Sequence, residues 1–292
     1  MSGDTPMDSR ITKLYNDYIH GDMPRRVFFM RVTEIAGSTA AAAGILTLLE
    51  PDWAHGQQVA PSDERLVAKT ITYPGATGPV QGYLARPANA TGKLPGVLVI
   101  HENRGLNKHI EDVARRAALA GYVTLAPDGL SYVGGGLDDQ EAARDRFSQA
   151  DRNKITADVI EGVTYLAENE NCTGSVGTVG FCYGGGVALQ CAVNKEAVAA
   201  AVCFYGRALG GEDIAKLSTP IMMHYAGSDE RINAGIPEFL SSLDEHAVAY
   251  SMNMYPDVGH GFHNDTSQAR YNAEAAGLAW RRTLAFFKDS LV

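Results

Sequence analysis

The 292-residue sequence contains no G-x-S-x-G, so no serine competes for the nucleophile's place on a strand-to-helix elbow. It also lacks G-x-G-x-x-G and a Walker lysine, which removes the usual cradles for dinucleotide and triphosphate ligands. Cysteine is scarce. Cys172, Cys182, Cys191 and Cys203 form no C-x-x-C pair, which argues against a disulfide framework and a structural zinc site. Positive charge is short as well: 25 Lys and Arg against 34 Asp and Glu leave a formal net charge of -9. That sign disfavours nucleic acid and anionic membrane surfaces, which select for basic patches. The uncharged, alanine-rich stretch from Ile35 to Leu49 falls short of the roughly 20 residues that span a bilayer. No repeat or low-complexity tract is present.

What remains is an ordinary globular composition, 45% hydrophobic, enough for a sizeable core. Residues 1–60 read differently from the rest. Ile11, Leu14, Tyr15, Tyr18 and Ile19 recur at helical spacing, and His20-Gly21 breaks the pattern. A second stretch begins at Pro24-Arg25-Arg26-Val27-Phe28-Phe29, and the alanine-rich run ends at Glu50-Pro51. Two readings stand: a helical extension packed on the main domain, or a Tat-like export signal at Arg25-Arg26. Against the second, Glu34 interrupts the approach to the apolar run and a patterned helix precedes the arginines. The expected location is cytoplasmic under the first reading and periplasmic under the second.

From residue 61 the pattern is short apolar strands alternating with helices. Leu66 to Tyr73 and Val80 to Leu84 predict a leading strand pair around Gly75-Ala76-Thr77-Gly78. Gly96 to Ile100 is a continuous apolar run of the kind buried on both faces of a parallel sheet. Further strands are expected at Tyr122 to Ala126, Ser175 to Phe181, Val198 to Tyr205, Ile221 to Ala226 and Ala249 to Tyr255. Ile110, Val113, Ala114 and Ala117 mark one intervening helix, Ile155, Val159, Val163 and Leu166 another, and Trp280, Leu284 and Phe287 the last. The class is α/β: a doubly wound, mostly parallel sheet of about eight strands with right-handed crossovers. The Gly134-Gly135-Gly136 loop is expected over the mouth of the sheet.

The strand ending at Phe181 runs into Gly180-Phe181-Cys182-Tyr183-Gly184, an elbow motif with cysteine at its centre. Such a turn strains the central residue and leaves no room for Cβ atoms on its neighbours. It sets the sulfur at a helix N-terminus, where dipole and free N–H groups favour a thiolate and then an oxyanion. The competing reading is a buried cysteine in a glycine-rich turn that holds a phosphate. Downstream, Ile221 to Ala226 leads into Gly227-Ser228-Asp229-Glu230, and Tyr250 to Tyr255 leads into Pro256-Asp257-Val258-Gly259-His260. Nucleophile, acid and histidine in that chain order, each just past a strand, nominate Cys182, Asp229 and His260 as a triad. Glu230 and Asp257 are the runner-up acids. His260-x-x-His263 hints at metal ligands, but no third ligand has fitting spacing, so neither a metal nor a cofactor is expected.

These residues resemble the dienelactone hydrolase family, carboxymethylenebutenolidase-like enzymes on the α/β-hydrolase fold, from about Leu66 to Phe287, with G-F-C-Y-G-G as the most specific match. The resemblance implies a Cys-His-Asp triad, ester or lactone hydrolysis, and an acyl-cysteine intermediate. It also gives meaning to His101-Glu102-Asn103-Arg104-Gly105. There Glu102 would hydrogen-bond the resting thiol until substrate disturbs it, and the N–H groups of Asn103 and Tyr183 would form the oxyanion hole. Family members place a serine and an arginine just after the triad histidine to hold a substrate carboxylate. Here that stretch reads Gly261-Phe262-His263-Asn264, so Arg104, Arg144 and Arg146 become candidates for the role. The expected partner is a small ester or lactone, with no nucleic acid and no membrane span. The extra N-terminal segment is expected to cap the site or form a homo-oligomer contact. The alternatives are a carboxylesterase or acyltransferase acting on another small ester, and a non-catalytic thiol redox sensor.

Overall fold

The computed structural model describes residues 8–19, 23–49, 57–136 and 139–291. Three helices open the chain: α1 (Ser9–Ile19), α2 (Arg25–Ala36) and α3 (Thr39–Leu49). The uncharged run beginning at Ile35 is not one helix. Gly37 adopts φ 77° and donates to Thr33 O at 2.9 Å, closing α2. The Ser38 hydroxyl then accepts from Ala41 N and opens α3. Ile11, Tyr15 and Tyr18 of α1 bury against Phe28 and Val32 of α2 and Ala42 and Leu49 of α3, a small core of their own. None of the helices among the described residues is long and apolar enough to cross a membrane. The His20-Gly21 break and the Glu50-Pro51 end lie outside the described residues.

The remainder follows the expected alternation. β1 (Leu66–Pro74), β2 (Pro79–Pro87) and β3 (Leu94–Ile100) precede α4 (Lys108–Leu119), β4 (Val123–Pro127), α5 (Gln140–Gln149) and α6 (Arg152–Ala167). Then come β5 (Cys172–Phe181), α7 (Tyr183–Asn194), β6 (Val198–Phe204), the short α8 (Gly211–Ile214) and β7 (Ile221–Ala226). The chain ends with α9 (Glu230–Asn233), α10 (Ile236–Glu245), β8 (Tyr250–Tyr255) and α11 (Ala273–Ser290). The eight strands form one sheet in the order β1-β2-β4-β3-β5-β6-β7-β8. β1 pairs antiparallel with β2 and β2 with β4, and every other pairing is parallel. The fold is therefore α/β of the α/β-hydrolase type.

Side-chain alternation explains why the strands bury both faces. Val97 and Val99 of β3 meet Ile110 and Val113 of α4 and Phe287 of α11, while Leu98 and Ile100 face Val159 and Val163 of α6 and Val187 of α7. Each such fully buried aliphatic side chain contributes about 1.5–3 kcal/mol, so the central strands hold the sheet. Caps set the helix starts: Asn107 accepts from Ile110 N at 3.1 Å and Asn272 from Ala275 N at 2.9 Å. Strand edges differ from expectation by a few residues. β5 starts at Cys172 rather than Ser175, with a register irregularity before Val176 where Gly174 takes φ 99°. The parallel strands β3, β5, β6 and β7 all finish on the same edge, and the loops that follow them build the site.

Candidate active site

Cys182 is wedged between β5 and α7 with φ 55° and ψ -115°, a backbone state a non-glycine residue adopts only when its surroundings enforce it. Its N–H donates to Phe204 O at 3.0 Å, tying the turn to β6. The flanking glycines are steric requirements. A Cβ on Gly180 would stand 1.8 Å from Gly184 O, and one on Gly184 would stand 2.5 Å from both Ile100 O and His101 O. Tyr183 opens α7, so its N–H belongs to the first turn, which has no intrahelical acceptor. Asn103, Cys182, Tyr183 and His260 line one cavity of about 1020 Å³.

His260 reaches this cavity from the loop after β8. Its Nδ1 donates to Asp229 Oδ2 at 2.5 Å, and its ring is also hydrogen-bonded to Cys182. Burial opposes a charged imidazole, yet the Cys182 charge and the bonds to Asp229 and Cys182 lift the His260 pKa to about 9. Asp229 sits at the N-cap of α9, where it also accepts from Ile232 N at 3.4 Å. Burial would raise its pKa, but the His260 contact holds it below the ordinary value. The runner-up acids stand elsewhere. Glu230 is exposed and pairs with Lys13 at 3.3 Å, and Asp257 is an exposed turn residue with φ 60°.

Glu102 is buried in the loop after β3, and its carboxylate accepts from Asn264 Nδ2 at 2.7 Å. Burial favours its neutral form, but Arg270, His109 and Arg104 together with the Asn264 bond hold its pKa below the carboxylate norm. The contact recorded for this carboxylate is thus with Asn264. His101 braces the loop: its Nε2 accepts from Gly129 N at 3.0 Å, so Nδ1 carries the proton that meets Glu102 O at 2.5 Å. His263 is buried against Phe181 with ring centroids 4.8 Å apart, a packing role. No cluster of three metal-ligating side chains occurs among the described residues.

The expected arginines divide. Arg104 is 2% exposed and lies under Glu141 at 3.9 Å, outside the cavity lining, and Arg146 donates to Gly135 O at 3.1 Å. Arg144 does line the cavity, joined by Arg25 of the twin-arginine stretch and by Arg152, Arg207 and Arg231, which no sequence motif marked. Tyr205 was equally invisible. It takes φ 40°, sets its ring 4.9 Å from that of His260, and lines the cavity with a buried hydroxyl that has no hydrogen-bond partner among the described residues. Arg270 lies against the glycine that follows His260. Gly261 has φ 81°, and a Cβ there would stand 2.8 Å from Arg270 Nη1.

The family model for the dienelactone hydrolase family matches residues 80–291. The hydrolase fragment YghX of Escherichia coli, itself a candidate hydrolase, is 51% identical over 112 residues, covering 38% of this chain and 96% of the fragment. A candidate carboxymethylenebutenolidase of Saccharolobus solfataricus is 31% identical over 256 residues, covering 75% of this chain and 98% of its own. Among solved structures, a candidate dienelactone hydrolase from Klebsiella pneumoniae superposes with a TM-score of 0.68 at 27% identity. It covers 76% of this chain and 98% of that one.

Proposed function

Since the chain belongs to the dienelactone hydrolase family, whose reaction is hydrolysis of ester and lactone bonds, we propose that it works through an acyl-cysteine on Cys182. His260 takes the thiol proton, and Asp229 fixes its tautomer and balances the imidazolium. The thiolate attacks the carbonyl carbon, and the N–H groups of Tyr183 and Asn103 receive the developing oxyanion. As the tetrahedral intermediate collapses, the leaving alkoxide takes the proton from His260; in a lactone that alcohol stays tethered to the acyl group. Water, deprotonated by the now neutral His260, then attacks the thioester and releases the carboxylic acid and Cys182. The unpartnered Tyr205 hydroxyl is a further donor available to an oxygen of the substrate.

Glu102 has a regulating part in this reading. By the family resemblance it restrains the resting thiol; its buried carboxylate is held here by Asn264, in the loop beyond His260, so substrate that shifts this loop would change that restraint. The cavity arginines favour a substrate that carries negative charge, in a chain that is otherwise acidic.

The observation that carries the proposal is the strained Cys182 hydrogen-bonded to a histidine that Asp229 holds at 2.5 Å. A panel of p-nitrophenyl esters and small lactones, with mass spectrometry of the quenched reaction, tests it. Turnover is expected in the wild type with an acyl adduct on Cys182, and loss of turnover in Cys182→Ala and His260→Ala. Undiminished turnover in either variant would overturn the mechanism.

A further inference from the structure

The cavity that holds Cys182 and His260 is not closed by the α/β domain alone. Tyr18, Met23, Pro24 and Arg25 of the N-terminal helices stand in its lining. Tyr18 is locked there from both sides. Within the helices its ring stacks on Phe28 at 4.7 Å and meets Tyr15 at 6.2 Å. Towards the main domain its hydroxyl donates to Glu141 Oε2 at 2.5 Å, and the Arg144 guanidinium lies 3.8 Å over its ring and donates to its carbonyl oxygen at 3.1 Å. Glu141 in turn faces Arg25 and Arg104, each at 3.9 Å. Arg104 follows Asn103, a proposed oxyanion donor, so this contact chain runs from the extension to the edge of the reaction centre.

We propose that the N-terminal helices are a wall of the substrate cavity, with Tyr18 and Pro24 contacting the part of the ester remote from its carbonyl. The inference rests on the hydrolase reading only for the identity of the bound molecule. The size of the space supports it. At about 1020 Å³ the cavity stands at the upper end of the roughly 300–1000 Å³ usual for small-molecule sites, more than a compact lactone fills. The substrate class this wall fits is an ester or lactone with an extended substituent. The wall exists only while residues 9–49 remain on the chain.

The test uses the full-length protein and two variants. Tyr18→Ala removes the locked ring, and Pro24→Trp adds bulk at an exposed position that belongs to no core cluster. Two reactions are compared between a short and an extended reagent: hydrolysis of p-nitrophenyl acetate against p-nitrophenyl 5-phenylvalerate, and alkylation of Cys182 by iodoacetamide against N-(4-phenylbutyl)iodoacetamide. In both variants the extended-to-short ratio is expected to fall about tenfold, mostly through KM or KI, the size of effect a few lost apolar contacts produce. Ratios within about twofold of wild type in both reactions would overturn the wall, since a merely structural extension moves both reagents alike. Should Tyr18→Ala fail to fold, Pro24→Trp decides. If the wild type turns over neither ester while the alkylation ratio falls, the hydrolase reading fails and the wall stands.

Discussion

Asparagine at position 229 keeps the shape of the aspartate and removes its charge, so Asp229→Asn isolates what the carboxylate does for the thiol. Burial pushes the His260 imidazolium down, yet the Cys182 charge and the hydrogen bonds to Asp229 and Cys182 lift it from 6.5 to about 9. That lift corresponds to about 3 kcal/mol, at roughly 1.4 kcal/mol per unit. Asp229 supplies part of that lift through its hydrogen bond and its charge, so its loss lets the proton return from His260 towards the sulfur. Alkylation by iodoacetamide reads the thiolate directly, because only the anion attacks. The Cys182 rate, followed by mass spectrometry, is expected to fall about tenfold at neutral pH and to approach the wild-type rate above about pH 9. Cys191 and Cys203 stay silent, since burial pushes both thiols up to about 12. Stability carries the same signature. A histidine raised from 6.5 to about 9 contributes its full stability below 6.5 and loses it as pH climbs through 9. Asp229, depressed below 3.8, contributes only above that value. The stability gap between wild type and variant is therefore widest from about pH 4 to 6.5 and narrows toward 9. Equal alkylation rates together with a pH-independent gap would refute the assignment of Asp229.

Two further outcomes follow from packing and charge. Gly184→Ala drives a Cβ against two backbone oxygens at the end of β3, so urea unfolding should show a loss of about 3 kcal/mol or more, and an unchanged midpoint would remove the steric account of the elbow. Asp265 meets His109 Nδ1 at 2.8 Å, Gln58 Nε2 at 2.9 Å and the Arg116 guanidinium, and despite burial these contacts hold its pKa well below 3.8. Asp265→Asn should cost about 2–3 kcal/mol near neutral pH, less than a fully broken buried pair because Arg116 keeps Asp112. That cost shrinks gradually as pH falls below 3.8, because the unfolded carboxylate protonates there while the folded one stays ionised to well below that value; a gap no narrower at pH 2 than at pH 5 would contradict the assignment.

The meeting of Cys182, His260 and Asp229 was legible in the sequence because each position is dictated locally. A strand, a glycine-flanked cysteine and a helix can meet only as an elbow, and an acid and a histidine just past β7 and β8 must share the edge where β5 ends. The environment of Glu102 was not legible in this way. Its partner Asn264 lies 162 positions away in a loop whose course no periodicity announces. The same holds for the 123 positions between Tyr18 and Glu141, and for Tyr205, whose left-handed backbone places its ring beside His260. In the N-terminal segment the helical stripe of α1 was readable, but the split of the alanine-rich run depended on Gly37 taking a left-handed conformation. Contacts between distant loops are set by tertiary packing, and sequence spacing carries no record of them.

The residues after His260 change the division of labour within the site. The stretch after His260 carries neither the serine nor the arginine of the family clamp, and the Arg270 guanidinium fills the space beside Gly261. Asn264, in the same stretch, donates its amide to Glu102. Arg270 is 6% exposed, lies 5.4 Å over the Tyr15 ring and is the largest positive influence on Glu102. Its Nε donates to Ser267 Oγ at 3.0 Å, and its charge holds Glu102 ionised from within the protein. The cations that do reach the cavity come from other elements: Arg144 and Arg152 on the α5 and α6 side, Arg207 after β6, Arg231 in α9 and Arg25 on the extension. The proposed recognition of substrate charge therefore falls to cations at the rim and far wall of the cavity rather than beside the histidine. A substrate held there must reach across the cavity to present its carbonyl to Cys182, and that demand for length is what the N-terminal wall is placed to read.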